Sequence, residues 1–324
     1  MLIVQKYGGS SLRDFERLRR VAERCLDRRR REEELVVVVS AMGDTTDDLS
    51  RRAQEVSAAP PKRELDALVT TGEQQAAALL VMAMQELGLE AVSLTGWQAG
   101  VLTDGQYGAG EIRLVAPGRL RAELSRGRVP VVTGFQGICA RGDVTSLGRG
   151  GSDTTAVALA AALEADICEI YTDVDGVYTA DPRRVKEARR LETVDYRDML
   201  ALAKAGAQVL HPKSVELAMA NQVPLRLLSS FAEGPGTSLR LLPEGQRSRF
   251  AGITAREGRV TLAGKGCGAG ALSAAVLELA RAGVTVLDGG LEENALFVTV
   301  APDEQERAMA LLHDKLILPQ DKEN

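Results

Sequence analysis

The sequence predicts an α/β protein with a mostly parallel central sheet, followed by a small C-terminal α+β domain. Short β-branched runs alternate with longer helical patterns over the first 230 or so residues, as in parallel sheets covered by helices. Residues 35–39 are almost pure valine, which is typical of a central strand buried on both faces. Turn-forming and polar residues at 232–248 indicate a boundary. We therefore predict one domain at 1–240 and another at 241–324.

The periodicity of apolar residues places the elements of the first domain. Strands are predicted at 2–5, 35–39, 91–94, 129–133, 167–172 and 225–229, and helices at 14–31, 66–87, 153–164, 196–205 and 214–221. The first helix should face the core with Phe15, Leu18, Val21, Ala22 and Leu26.

The C-terminal region has its own pattern. Strands are predicted at 252–263, 284–288, 295–300 and 316–318, with helices at 271–282 and 303–314. This βαββαβ order is that of ferredoxin-like domains. Residues 320–324 are expected to be frayed.

Composition excludes several classes of function. The 324 residues carry a formal net charge of −5, so the basic footprint of a nucleic-acid-binding protein is missing. Four scattered cysteines without a Cys-x-x-Cys pair indicate reduced thiols and argue against a zinc site. No apolar stretch has the length of a membrane span, and the N-terminus offers no signal-peptide core. We expect a cytoplasmic protein that binds neither nucleic acid nor membrane.

A first candidate site follows the first strand, where residues 6–11 read Lys-Tyr-Gly-Gly-Ser-Ser. Two glycines allow a backbone to approach an anion closely, and the start of a helix attracts negative charge. Lys6 adds a cation suited to a phosphoryl group. A tight turn with an exposed lysine explains this segment equally well when it is taken alone.

A second candidate is the glycine-rich segment 145–155, which enters an alanine-rich helix. Its glycines around Arg149 form a good anion cradle, and an arginine can bind a carboxylate through two parallel hydrogen bonds. Ser152 and Asp153 could simply cap the helix. The glycines, the arginine and two acceptors together exceed what a cap requires, so we favour a binding site.

A third candidate, at residues 172–183, follows a predicted central strand, where ligands of open α/β sheets bind. Its aspartates do not have the spacing of a calcium-binding loop. An Asp-Gly turn explains Asp175 and Gly176, whereas Tyr178 and Arg183 suit stacking on a base and pairing with phosphate. Shorter polar segments at 40–47, 70–73 and 134–137 also lie at strand ends or helix starts. His211 lacks a nearby acid–base partner, which favours a structural role.

These segments, in this order, resemble the amino-acid kinase family, and within it the aspartate kinases. The resemblance covers residues 1 to about 240 and includes Val-Ser-Ala-Met-Gly-Asp-Thr-Thr-Asp at 39–47, Thr-Thr-Gly-Glu at 70–73, Gly-Phe-Gln-Gly at 134–137 and Leu-Gly-Arg-Gly-Gly-Ser-Asp-Thr-Thr-Ala at 147–156. It implies a three-layer fold with a C-terminal ferredoxin-like (ACT) domain. It also implies phosphoryl transfer from ATP with Mg²⁺ to the side-chain carboxylate of L-aspartate, which begins lysine, threonine and methionine biosynthesis.

The resemblance also implies residue roles. Lys6 and Asp153 would be catalytic. The aspartate pocket would comprise Ser40, Thr46, Glu73, Phe135, Arg149 and Ser152, with Glu73 facing the ammonium and Arg149 the α-carboxylate. Nucleotide would be held by Lys6, Tyr7, Gly8, Gly9, Gly150, Gly151, Thr172, Asp173, Tyr178, Asp181, Pro182, Arg183 and Gln208. No metal ligand is assigned.

Two departures from the family pattern bear on nucleotide binding and regulation. Gln208 stands where many relatives have a lysine that contacts ATP, which predicts weaker ATP binding. Relatives usually carry two ACT repeats, and the sequence accommodates one. The glycine-rich loop 264–270 and the Gly289–Gly290 pair replace residues typical of effector sites, so inhibition by lysine or threonine should be weak or absent. A homodimer is expected.

Two alternative functions remain open. A kinase of the same fold could act on glutamate or N-acetylglutamate, but an acylated amine would not need an acidic partner such as Glu73. An inactive sensor could bind amino acid or nucleotide in the same pocket. A dinucleotide-dependent dehydrogenase is disfavoured, because no Gly-x-Gly-x-x-Gly follows the first strand.

Overall fold

The structure, a computed structural model, describes residues 1–318. Its contacts divide the chain into a first unit, residues 1–175 and 220–234, and a second unit, residues 176–219 and those from 235 onward. The predicted domain boundary at 240 stays a prediction. Within residues 1–318, no helix combines the length and the apolar character that crossing a membrane requires.

The strands and helices are numbered in chain order. The strands are β1 (Leu2–Tyr7), β2 (Glu34–Val39), β3 (Ala91–Leu94), β4 (Val101–Thr103), β5 (Ile112–Val115), β6 (Val129–Thr133), β7 (Gln136–Cys139), β8 (Val144–Ser146), β9 (Ile167–Thr172), β10 (Thr193–Asp195), β11 (Leu225–Ser229), β12 (Thr237–Arg240), β13 (Gly252–Arg256), β14 (Arg259–Ala263), β15 (Asp288–Glu292) and β16 (Ala295–Thr299). The helices are α1 (Phe15–Arg30), α2 (Thr45–Val56), α3 (Lys62–Val69), α4 (Thr71–Glu86), α5 (Gly118–Leu124), α6 (Gly151–Leu163), α7 (Tyr196–Lys204), α8 (Pro212–Asn221), α9 (Ala269–Arg281) and α10 (Gln305–Leu312).

The first unit contains a parallel sheet in the strand order β11-β9-β1-β2-β6-β3. The valine strand β2 lies between β1 and β6, and its last five residues are buried. Its position confirms the prediction of a central strand buried on both faces. The predicted mostly parallel sheet is likewise confirmed.

Helices cover both faces of this sheet and give three layers. Odd-numbered residues of β1 and β2, such as Ile3 and Val37, share a hydrophobic core with α1 and α4. Residues on the other face, such as Lys6, point towards α6, because successive side chains of a strand alternate between faces. Phe15 was predicted in the core, but it is the first residue of α1 and 64 % exposed.

A second, four-stranded sheet in the first unit was not predicted from the sequence. Its strand order is β5-β4-β7-β8. Strands β7 and β8 form an antiparallel hairpin that leads into α6, and β4 pairs with β5 across a register shift. All four strands have only three or four residues, too few for a period of two to be recognised.

The second unit contains the parallel pair β10 and β12 and an antiparallel sheet in the order β13-β14-β16-β15. Helices α9 and α10 pack on the antiparallel sheet around a core that includes Val260, Leu262, Leu279, Met309 and Leu312.

The predicted βαββαβ order was wrong in detail, since the observed order is ββαββα. Residues 252–263 form two strands rather than one, because Glu257 and Gly258 turn the chain with φ of +53° and +81°. Residues 284–287 precede the strand that was expected there, and 313–317 form a π-helical turn in place of the last strand. The prediction of fraying at 320–324 lies outside the described residues.

Candidate active site

A cleft of about 600 Å³ in the first unit lies beyond the carboxyl ends of β1, β2 and β6. Loops after parallel strands meet at this edge of an α/β sheet, which makes it the usual place for a ligand. The cleft is lined by eleven residues predicted from the sequence, namely Lys6, Gly9, Ser40, Thr46, Glu73, Phe135, Arg149, Gly150, Gly151, Ser152 and Asp153.

The cationic centre of the cleft is Lys6 at the end of β1. Its ammonium nitrogen lies 2.7 Å from Oδ1 of Asp153, in the first turn of α6, and both side chains are largely buried. A lysine would otherwise sample many rotamers, so this ion pair fixes the position of the charge. The pair therefore presents an oriented cation to whatever occupies the cleft.

Glycines form the walls of the cleft where backbone must come close. A Cβ atom on Gly9 would lie 2.8 Å from the carbonyl oxygen of Ala41, so only glycine fits there. Gly148 and Gly150 have φ of +70° and +69°, a conformation that other residues adopt only with strain. Gly150 directly precedes α6, whose first turn exposes backbone N–H groups. Such a turn favours a bound anion.

Phe135 lies against Gly151 in the wall of the cleft and has a strained backbone conformation. Its φ is +67°, although it is not a glycine. Its N–H donates to Oγ1 of Thr155 (3.2 Å), and its carbonyl accepts from the N–H of Leu147 (2.8 Å). A Cβ on the preceding Gly134 would lie 2.7 Å from Cβ of Ser152. Tight contacts on both sides thus hold Phe135 in place.

Glu73, in the first turn of α4, is the buried acid of the cleft. It is 3 % exposed, and its Oε1 accepts a hydrogen bond from the N–H of Ala41 (3.1 Å). Its Oε2 is buried and has no hydrogen-bond partner within residues 1–318. Burial raises the pKa of Glu73 to about 7, because a desolvated carboxylate resists ionisation. A bound cation would supply the missing partner.

Arg149 carries an unpaired charge at the mouth of the cleft. Its side chain is exposed, and no hydrogen bond or ion pair within residues 1–318 engages the guanidinium. A free guanidinium fork can accept a carboxylate in bidentate geometry. Ser40 and Thr46, both half-buried, complete the same rim.

Tyr7 requires a correction, because its side chain does not reach the cleft. The ring is fully buried and stacks on Tyr171 at 4.6 Å between centroids, and its hydroxyl donates to Gln5. Adjacent residues of a strand face opposite sides, so the orientation of Lys6 towards the cleft turns Tyr7 towards the core. Gly8 remains close, since a Cβ there would lie 3.4 Å from the lysine nitrogen.

The remaining predicted nucleotide residues lie outside the lining of the cleft. Thr172 ends β9 and Asp173 follows it in the first unit, where the threonine hydroxyl donates to the aspartate (3.1 Å). The other five lie in the second unit. They are Tyr178, Asp181, Pro182 and Arg183 in one loop, and Gln208 after α7. Within that loop the guanidinium of Arg183 pairs with Asp181 at 2.8 Å, which holds the pKa of Asp181 below its usual range.

Three lining residues were not assigned from the sequence. They are Ala41, Gly43 and Gly148. Each lies within a segment that the sequence did mark, so the signal was the segment rather than the residue. Gly43 has φ of +50° and donates its N–H to the carbonyl of Gly9 (3.0 Å), which joins two loops of the cleft.

A further property of the cleft is its capacity for a metal ion. Within residues 1–318, no three or more His, Cys, Asp or Glu side chains cluster in a way that could hold a metal ion. Mg²⁺ usually binds one or two carboxylates together with substrate phosphates and water. The donor set of the cleft, with Asp153 beside Lys6, fits a metal ion of that kind and not a metal held by protein ligands alone.

A second cleft, of about 700 Å³, lies within the second unit between α7, β13, β14 and the turn after β15. Its four cations each have a carboxylate partner: Arg197 with Asp195, Lys204 with Glu216, Arg256 with Glu257, and Arg259 with Glu292. The sequence marked none of these residues.

Comparison with protein families and curated sequences agrees with this geometry. Residues 1–229 match the family model described as "Amino acid kinase family". The chain is 56 % identical over 237 residues to the aspartokinase of Mycobacterium tuberculosis, covering 73 % of this chain and 56 % of that protein. It is 50 % identical over 240 residues to the aspartokinase of Mycolicibacterium smegmatis, covering 74 % and 57 %. The chain thus spans little more than half the length of these relatives.

Solved structures extend the similarity to the second unit. Aspartate kinase from Synechocystis superposes with a TM-score of 0.68 at 33 % identity, covering 97 % of this chain and 69 % of that one. E. coli aspartokinase III in complex with aspartate and ADP gives 0.72 at 25 % identity, covering 97 % and 83 %.

Proposed function

The chain belongs to the amino acid kinase family, and from this premise we propose that it transfers the γ-phosphoryl group of ATP to the side-chain carboxylate of L-aspartate. The names of its relatives support this choice of substrate, as does the aspartate and ADP bound in the E. coli enzyme.

One observation carries the proposal. Among residues 1–318, the cleft contains a guanidinium without a partner, that of Arg149, and a buried carboxylate oxygen without one, Oε2 of Glu73. A free amino acid has the complementary charges, a carboxylate and an ammonium, on one carbon. An unpaired buried carboxylate is costly, so its presence indicates a ligand that pairs with it. N-acylated amino acids lack that ammonium, which argues against them as substrates.

The reacting groups require positioning more than proton transfer. A carboxylate is already ionised at neutral pH, so the side chain of aspartate can attack phosphorus without a general base. Lys6, held by Asp153, would offset the charge that spreads over the transferring phosphoryl oxygens. Mg²⁺, when bound with the nucleotide, would neutralise further phosphate charge.

Nucleotide binding is assigned to the residues that the family resemblance implies. The backbone at Gly8, Gly9, Gly150 and Gly151 would hold phosphates, because glycine permits the close approach seen at Gly9. The loop residues Thr172, Asp173, Tyr178, Asp181, Pro182 and Arg183, together with Gln208, would hold the rest of ATP. A contribution from Tyr7 is restricted to its backbone.

The test is ADP release measured with aspartate, glutamate and N-acetylglutamate in parallel. We expect turnover with aspartate and little with the other acids. Arg149→Lys should raise KM for aspartate about tenfold or more, because lysine cannot form the bidentate pair. Nucleotide binding without turnover of any acid would instead favour a sensor, and preference for N-acetylglutamate would favour the related kinase.

Regulation and assembly are part of the same proposal. E. coli aspartokinase III has been solved with lysine and aspartate, whereas the loop 264–270 and the Gly289–Gly290 pair of this chain offer few side chains to an effector. We expect a homodimer whose activity changes little with millimolar lysine plus threonine. Strong inhibition, or a monomer in sedimentation, would contradict these expectations.

A further inference from the structure

Asp66 on α3 is a buried carboxylate outside the lining of the cleft. It is 2 % exposed. Its Oδ2 accepts the N–H groups of Ser146 and Gly108, both at 2.9 Å, and its Oδ1 accepts the hydroxyl of Ser146 at 2.7 Å. Three donors from two loops offset the cost of burying the charge.

The carboxylate of Asp66 fixes the segment that carries Arg149. Ser146 is the last residue of β8 and lies three residues before the arginine. Its carbonyl accepts the N–H of Gly110 (2.8 Å), so the loop at 104–111 is tied to the same point. Without Asp66, two backbone N–H groups and a hydroxyl would lose their shared acceptor.

The backbone of Asp66 fixes the segment that carries Glu73. Its carbonyl accepts both the N–H (3.2 Å) and the hydroxyl (2.7 Å) of Thr70, which lies directly before α4. The carbonyl of Thr70 in turn accepts the side-chain amide of Gln136 (2.8 Å), next to Phe135. Asp66 therefore contacts both the segment that carries Glu73 and the segment that carries Arg149.

We propose that Asp66 is a positioning residue that sets the spacing between Glu73 and Arg149, and hence the fit of the ammonium and carboxylate of the amino-acid substrate. The inference rests on the proposed function, because it assigns those two charges to the amino acid. Asp66 does not touch the substrate. Its side chain contacts neither Lys6 nor Asp153, so its effect should fall mainly on the amino-acid half of the cleft, although Gly150 and Gly151 follow Arg149 on the same segment.

The test compares Asp66→Ala with Asp66→Asn. The alanine variant should raise KM for aspartate about tenfold or more and KM for ATP by clearly less, because the contacts of Asp66 lie closest to the residues assigned to the amino acid. The asparagine variant should stay within about threefold of wild type. Its amide oxygen can accept both backbone N–H groups while its NH₂ donates to Ser146. The proposal would be overturned if Asp66→Asn raised KM for aspartate as much as Asp66→Ala does, or if KM for aspartate and KM for ATP rose in parallel.

Two further measurements keep the test decisive if the alanine variant folds poorly. Ser146→Ala removes one of the three contacts and should give a smaller rise in KM for aspartate. Asp195→Asn in the second unit is the matched control, since Asp195 is equally buried and also accepts two backbone N–H groups; KM for aspartate should not change.

Hydrogen exchange separates this inference from the proposed function. The amides of Gly108 and Ser146 should lose protection in Asp66→Ala, whatever the substrate proves to be. Unchanged protection would overturn the positioning role. A wild-type chain without aspartate-dependent ADP release would overturn the function while the exchange result still decides whether Asp66 holds the two loops.

Discussion

The two clefts of the molecule differ in how their charges are paired, although their volumes are similar. In the second cleft the four lining cations, Arg197, Lys204, Arg256 and Arg259, all have carboxylate partners. In the first unit, Arg149 and one oxygen of Glu73 have none within residues 1–318. Exposed ion pairs contribute little and need no ligand, whereas an unpaired buried carboxylate carries a cost that a ligand can remove. Unsatisfied charge, more than size, therefore distinguishes the proposed active site from the second cleft.

The largest expected effect comes from removing one lysine from each cleft. Lys6→Met should lower kcat about 10²–10³-fold, because an oriented charge that stabilises the transferring group is lost. Lys204→Met should leave kcat and KM unchanged, because the Lys204–Glu216 pair is half-exposed and already satisfied. Steady-state kinetics with folded protein, checked by circular dichroism, decides the matter. Equal losses in both variants would erase the distinction between the clefts.

An intermediate effect, on the pH dependence of KM for aspartate, is expected from Glu73, the buried acid of the first cleft. Burial raises the pKa of Glu73 to about 7, so the carboxylate is increasingly protonated as pH falls below 7 and can no longer pair with an ammonium. KM for aspartate should rise by up to about tenfold per pH unit between pH 7 and 5.5. Glu73→Gln should have a high KM that does not vary over this range. Glu257→Gln in the second cleft is the control and should keep the wild-type profile.

The raised pKa of Glu73 also predicts how the stability of the fold varies with pH. The pKa of Glu73 is higher in the folded chain than in the unfolded chain. At a pH between the two pKa values, the chain therefore takes up a proton when it folds. Stability from this group is present below the ordinary glutamate pKa and is lost as pH rises through 7. Without substrate, Glu73→Gln should therefore raise Tm at pH 8 but not at pH 5. A lower Tm at pH 8 would mean that the carboxylate has a partner after all.

The smallest effect adds a charge to the second unit instead of removing one. Gln208 is exposed, and the family resemblance implies a lysine that contacts ATP at this position. Gln208→Lys should lower KM for ATP severalfold, about what one charge-assisted contact to phosphate contributes in a solvated position. Gln246→Lys, elsewhere in the unit, should have no effect. An unchanged KM for ATP in both variants would remove Gln208 from the nucleotide site.

The parts of the fold that could be predicted from the sequence are those with a strong local signal. The valine run of β2 and the strands at 129–133 and 167–172 were placed correctly, because buried parallel strands are continuously apolar. The hairpin of β13 and β14 was missed because Glu-Gly is a weaker turn signal than Asn-Gly, and apolar residues continue on both sides. The apolar residues at 316–318 do not distinguish a strand from the end of a helix.

The residues of the candidate site divide in the same way, into those with a strong signal in the sequence and those without one. Lys6, Glu73 and Arg149 were recognised from motifs, because their residue types and order are distinctive. Asp66 was not, because its role depends on three donors that come from positions 108 and 146, far along the chain. The side-chain direction of Tyr7 was missed for a local reason, the alternation of faces along β1.

The left-handed backbone of Phe135 also has a consequence for the evolution and engineering of this fold. A non-glycine residue at φ +67° costs about 1 kcal/mol that glycine would not. Phe135→Gly would remove this strain, but it would also delete one wall of the cleft and the contacts of the ring with Gly151, and it would add conformational freedom to the unfolded chain. Comparing the melting temperature and the turnover of this variant separates the cost of the strained backbone from the contribution of the aromatic ring.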